Sequence, residues 1–147
     1  MKTKEWIKNL KNIGIICSVA ALIFAMSSCA TRANFLSSSV VPAAKGAVKV
    51  TQDKNNNYKI SLSISNLAES TQLSPPKSAY VVWLVSDNKS TKNIGQIVSG
   101  TGFMSKKLKA SFETITSFKP SKIFITAEDD ASVQYPYSPV VLTTSDF

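Results

Sequence analysis

The chain of 147 residues has no histidine. That removes the commonest general base near neutral pH, the usual partner of a nucleophilic serine and the commonest transition-metal ligand. Cysteine occurs only as Cys17 and Cys29, close to the start, so the rest of the chain has no thiol for a disulfide or a thiolate metal site. Arginine occurs once, at Arg32. With no basic helix and lysines scattered singly outside Lys106-Lys107-Leu108-Lys109, the net charge of +8 reads as a solvated surface, and nucleic acid is not an expected partner. Beyond residue 29 no 3.6-residue apolar stripe is sustained, and residues 67–73 are the only place for a helical turn.

What is present is most informative at the N-terminus. Lys2, Lys4, Lys8 and Lys11 precede an apolar run from Ile13 to Met26, and Ser27-Ser28 lead into Cys29. A charged region, a short apolar region and small residues before a cleavage point form a secretory signal peptide. The run is about 14 residues, short of the roughly 20 that span a bilayer. The cysteine directly after the small residues makes the segment resemble the lipobox of bacterial lipoproteins, with Met26 where leucine is commoner. That resemblance implies a diacylglyceryl group on the Cys29 sulfur and cleavage before it. Residues 1–28 are then the signal peptide, and the mature chain of 119 residues carries a net +5. Its membrane partner is reached through the N-terminal lipid. Ala30 and Thr31 follow the cysteine and the first acid after it is Asp53. In a double-membraned bacterium this implies the periplasmic side, on the outer membrane.

Residues 29–45 are small and polar without periodicity, which predicts a flexible tether, parts of which (Phe35-Leu36 and Val40-Val41) are apolar enough to dock. From residue 46 to 147 period-2 alternation dominates. Tyr58, Ile60, Leu62 and Ile64 alternate with Lys59, Ser61, Ser63 and Ser65, a strand with one buried and one wet face. Residues 47–51 form a shorter strand before it, joined through the asparagine-rich turn 53–57. Residues 79–85 are apolar throughout, which predicts a central strand covered on both sides, with Trp83 in the core. Residues 94–98, 108–112, 123–127 and 140–143 complete about seven strands. The expected fold is all-β, a single antiparallel β-sandwich of immunoglobulin-like architecture.

Tyr80-Val81-Val82-Trp83-Leu84, then Gly95, then residues 123–128 ending in Thr126-Ala127-Glu128, then Pro136 or Pro139 and Val140-Val141-Leu142 resemble the extracytoplasmic C-terminal domain of RskA-type anti-sigma-K factors. The likeness covers residues 78–144. It implies a sensor-like outer module. Two features depart from the family: Asp129-Asp130-Ala131-Ser132 stands where a glycine pair is usual, and only a short lysine-rich stretch precedes the apolar run. A sigma factor is therefore not an expected direct partner.

Among candidate sites, Glu128-Asp129-Asp130 is the densest acidic cluster. Hard cations take carboxylate oxygens, but the Asp-x-Asp-x-Asp spacing and its glycine turn are missing, so a solvated turn is expected. For Glu128 the alternative role is to accept backbone hydrogen bonds from the adjoining loop. Tyr135-Pro136-Tyr137 puts two rings on a stiff segment. Packed, they close one end of the sandwich; exposed, they stack on sugars or receive a peptide. Packing is the expectation, since proline also blunts an edge strand. Serine is abundant, yet there is no Gly-x-Ser-x-Gly, and Ser86-Asp87-Asn88-Lys89 falls on a turn. Ser99-Gly100-Thr101-Gly102 lacks the lysine and helix of a phosphate loop. No catalysis, cofactor or metal is expected. The expected function is a non-catalytic envelope protein whose sandwich binds an envelope protein partner, by strand addition at a sheet edge. The alternative is a small sugar or cation site built from Glu128, Asp129, Asp130, Tyr135 and Tyr137.

Overall fold

The computed structural model describes residues 30–97, 100–101 and 108–147. The expected signal peptide, Cys29 and the Lys106-Lys107 pair lie outside the described residues. In chain order the strands are β1 (Ala30–Asn34), β2 (Lys45–Gln52), β3 (Tyr58–Ser65), β4 (Ala79–Ser86), β5 (Thr91–Ile97), β6 (Gly100–Thr101), β7 (Leu108–Thr116), β8 (Pro120–Glu128) and β9 (Val140–Thr143), with one 3-10 turn at Ser70–Gln72. Among the described residues no helix is long and apolar enough to cross a membrane.

The strands form two antiparallel sheets, ordered β1-β2-β3-β7-β6 and β5-β4-β8-β9. The alternation in β3 buries Ile60, Leu62 and Ile64 and turns Lys59 and Ser63 to solvent. They pack with Val48, Val50 and Ala110 against Tyr80, Val82, Leu84, Ile123, Ile125 and Leu142 of the second sheet. The protein is an all-β sandwich; among the described residues its buried core begins at Val41, and Phe35 packs against it. Burial of such side chains, each contributing roughly 1.5–3 kcal/mol, is the main favourable term holding the sheets together. The β2–β3 turn closes as its composition requires. Asn56 takes φ of 61°, and the Asp53 carboxylate accepts the amides of Asn55 and Asn57 at 2.8 Å each. Tyr80 is buried, donates its hydroxyl to the Ala68 carbonyl at 2.9 Å, and burial pushes its pKa up to about 12.

The tether expected over residues 29–45 is corrected. From Ala30 the chain pairs with β2 in register, Ala30 with Thr51 through Asn34 with Ala47. It then crosses to the other sheet, where Phe35 bridges Thr144 and the Leu36 amide donates to the Thr143 carbonyl at 2.8 Å. The Ser38 hydroxyl accepts the Val41 amide at 2.9 Å, and this tight turn lowers Val41 and Ala44 into the core. Residues 30–44 are thus a seam that laces the two sheets at one edge. Small, polar residues look like a linker in sequence because an edge strand needs only its backbone to pair.

Candidate functional site

β4 is the best-covered strand, with Tyr80 to Leu84 all buried. Its parity divides the work. Tyr80, Val82 and Leu84 face the other sheet, while Val81 and Trp83 point to the outer side and lie outside that core. Trp83 is buried as expected, but not between the sheets. Register sets it opposite Phe124 of β8 and Asn93 of β5. The indole stacks on Phe124 with ring centroids 6.1 Å apart and planes 14° from parallel.

The chain after β8 is tied to this outer face. The indole Nε1 of Trp83 donates to Thr126 Oγ1 at 2.8 Å, and that hydroxyl donates to Glu128 Oε1 at 2.6 Å. The same Oε1 accepts the amides of Tyr137 and Ser138 at 3.1 and 3.2 Å, and Oε2 accepts the Ser138 hydroxyl at 2.9 Å. Glu128 is only 2% exposed. Burial alone pushes its carboxyl up, but the hydrogen bonds from Thr126, Ser138 and Tyr137 together outweigh it and hold the group below the usual carboxylate range. At the other end of the loop Asn93 donates through Nδ2 to the Ala131 and Val133 carbonyls at 2.9 and 2.8 Å. A β-bulge between Val82 and Trp83, with Gly95 at φ of 134°, aims Asn93 there.

The three acids diverge. Glu128 points inward as the loop's fastener, the backbone-accepting role expected of it. Asp129 pairs with Lys77 Nζ at 2.7 Å. Asp130 accepts the amide and hydroxyl of Ser132 at 2.8 Å each, and these bonds, the amide first, lower its pKa. Among the described residues no group of three acids, cysteines or histidines could hold a metal ion. The packing expected of the two tyrosines is corrected: Tyr135 is 70% and Tyr137 77% exposed. Their loop is held by backbone and carboxylate, so the rings are free to face water. Asn93, Thr126 and the outward position of Trp83 were missed in sequence; the polar residues at matched parity on β5 and β8, which flank β4, are the signal that would have revealed them.

Cavities near this loop are small. One of about 120 Å³, lined by Val40, Leu73, Pro75, Ala127, Pro139 and Val141 among others, lies beside Ser138, well under the roughly 300–1,000 Å³ of ligand pockets. A larger groove, about 580 Å³, lies away from the loop along the β1–β2 seam. It is lined by Phe35, Pro42, Ser63 and Ser65 among others, with Lys45 as its only charged group. Among the described residues, no serine hydroxyl lining either one is hydrogen-bonded to a lysine amine: the Ser65 hydroxyl donates to the Lys45 carbonyl and Lys77 is paired with Asp129. Compared with protein-family models, with curated proteins and with solved structures, the chain shows no significant match to any of them.

Proposed function

We propose that this chain is a non-catalytic envelope lipoprotein, anchored through Cys29 on the periplasmic side of the outer membrane, whose sandwich is a protein-interaction or envelope-sensing module like the outer domain of RskA-type anti-sigma factors. The observation that carries the interaction reading is the loop of residues 129–139. A buried carboxylate, a buried indole and an asparagine are all spent on fixing this loop, and what it presents is two exposed tyrosines around Pro136. Rigid, exposed tyrosines are effective protein anchors, because they bury much area at low entropic cost. Their exposure moves the expected contact from a sheet edge to this loop.

The anchor is tested by Cys29→Ala. The wild type should carry lipid by mass spectrometry and the variant should leave the membrane fraction; a membrane-bound variant together with a lipid-free wild type removes the reading. The partner is tested by a photo-crosslinking amino acid at Tyr135 or Tyr137 in cells, which should yield a discrete adduct with an envelope protein. The second reading, a sugar site, rests on the same pair. Both rings are exposed and flank Pro136, and exposed aromatic faces can stack on sugar rings. Glycan binding that vanishes in a folded Tyr135→Ala/Tyr137→Ala variant, without any protein adduct, makes that reading correct.

A further inference from the structure

The outward face of the five-stranded sheet collects the cations that the sequence scatters. Cross-strand partners share a face, and the register aligns four rows on the solvent side. They are Ala30, Thr51, Lys59 and Ile115; Arg32, Lys49, Ser61 and Glu113; Asn34, Ala47, Ser63 and Ser111; and Lys45, Ser65 and Lys109. Arg32, Lys45, Lys49, Lys59 and Lys109 are all exposed. The face thus carries five of the eleven basic side chains among the described residues, but only one of the eight acids, Glu113. That acid pairs with Lys59, and none of the other four cations has an ion-pair partner among the described residues. The other positions are alanine, serine, threonine and asparagine with one isoleucine, Ile115, and no row carries an aromatic ring; the groove beside Phe35 opens onto the face at Asn34, Lys45, Ser63 and Ser65.

Two details point to what covers it. Arg32 and Lys49 stand directly opposite each other in the β1–β2 ladder, a like-charge pairing that costs stability unless an anion sits over both. Ile115, 67% exposed, shares its row with Ala30, the residue after Cys29. An apolar side chain among cations, at the end of the sheet where the chain leaves for the anchor, suits a bilayer surface. A second copy of this face would be repelled by its like charge.

We propose that this face lies on the bilayer and is held there by anionic lipid headgroups, so that the sandwich rests flat on the membrane with the 129–139 loop on the sheet that faces away. The geometric part, which side meets the membrane, rests on the Cys29 anchor; the headgroup binding does not. The test uses residues 30–147, whose core is self-contained and whose single tryptophan, Trp83, reports folding. Partition is measured by sedimentation with vesicles of phosphatidylcholine alone or mixed with phosphatidylglycerol in about equal parts. The domain should bind the anionic vesicles at about 0.02 M salt, leave them at about 0.5 M, and ignore the neutral ones. At about fivefold per basic residue, Arg32→Ala/Lys49→Ala should lower partition roughly 25-fold. Lys119→Ala/Lys122→Ala, just before and within β8 of the other sheet, should stay within about twofold by the same reasoning. Equal partition onto neutral vesicles, equal losses in the two double variants, or heparin binding without vesicle binding would each overturn the proposal. Because the 30–147 fragment lacks Cys29, failure of the anchor shows only in cell fractionation and failure of the face only in the vesicle assay.

Discussion

Replacing Glu128 by glutamine isolates the charge that fastens the loop. The amide keeps the shape, and its oxygen can still accept from Thr126, Tyr137 and Ser138; its nitrogen faces Ser138 Oγ, which can rotate to accept. What is lost is the charge assistance of four hydrogen bonds. A bond to a charged group contributes about 1.5–3 kcal/mol and a neutral one about 0.5–1.5. The loss is offset in part because a neutral group is cheaper to bury. A net destabilisation of about 2 kcal/mol is expected at pH 7, or roughly 8 °C in Tm for a domain of this size. The sign with pH follows from a carboxyl whose folded pKa lies below the ordinary 4.5. Its contribution is complete above that value and is lost as pH falls through the lower folded value. Thermal unfolding followed by Trp83 fluorescence should therefore show the gap between wild type and variant closing on acidification below pH 4.5. Amide exchange at Tyr137 and Ser138 should quicken in the variant. Equal Tm values at pH 7, or a gap that stays constant into acid, would refute the reasoning.

Trp83→Phe removes the donor to Thr126 and leaves a small void under the loop; a loss of about 2–3 kcal/mol in denaturant unfolding is expected, read by circular dichroism. Gly95→Ala places a methyl 2.8 Å from Phe112 Cε2 at a backbone φ of 134°. Strain and crowding together should cost about 2–4 kcal/mol, and a variant as stable as wild type would contradict the bulge geometry. Tyr135→Ala/Tyr137→Ala should leave stability within about 0.5 kcal/mol in the same assay, since both rings are in water.

The alternation of Tyr58, Ile60, Leu62 and Ile64 and the apolar run at residues 79–85 made the sandwich legible, because burial of one face or both leaves a periodic trace in sequence. The Asn56 turn was legible for a local reason, the left-handed backbone that asparagine tolerates. β1 was not legible, since a strand that contributes backbone hydrogen bonds and small side chains has no apolar signature. The sandwich of about seven strands is there, and the described residues add β1 and the two-residue β6 to it, for nine in all. Of the site, the backbone-accepting role of Glu128 could be anticipated from its place at a strand end. The exposure of Tyr135 and Tyr137 could not, since it depends on Asn93 holding the loop from across the sheet. The basic face was hidden by register: Lys45 and Lys49 of β2, Lys59 of β3 and Lys109 of β7 meet only once the three strands are aligned.

The placement of β1 has a mechanical consequence. It is an edge strand of five residues, and its first rung, Ala30 with Thr51, is the open end of its pairing with β2. A pull on the N-terminus away from the sheet therefore unzips the ladder one rung at a time toward Asn34 and Ala47. The load reaches Phe35 and Val41 only after those rungs have parted. β1 works as a fuse: it yields some 15–18 Å of extended chain before force is felt by the packed sheets, and it can re-form when the tension is released.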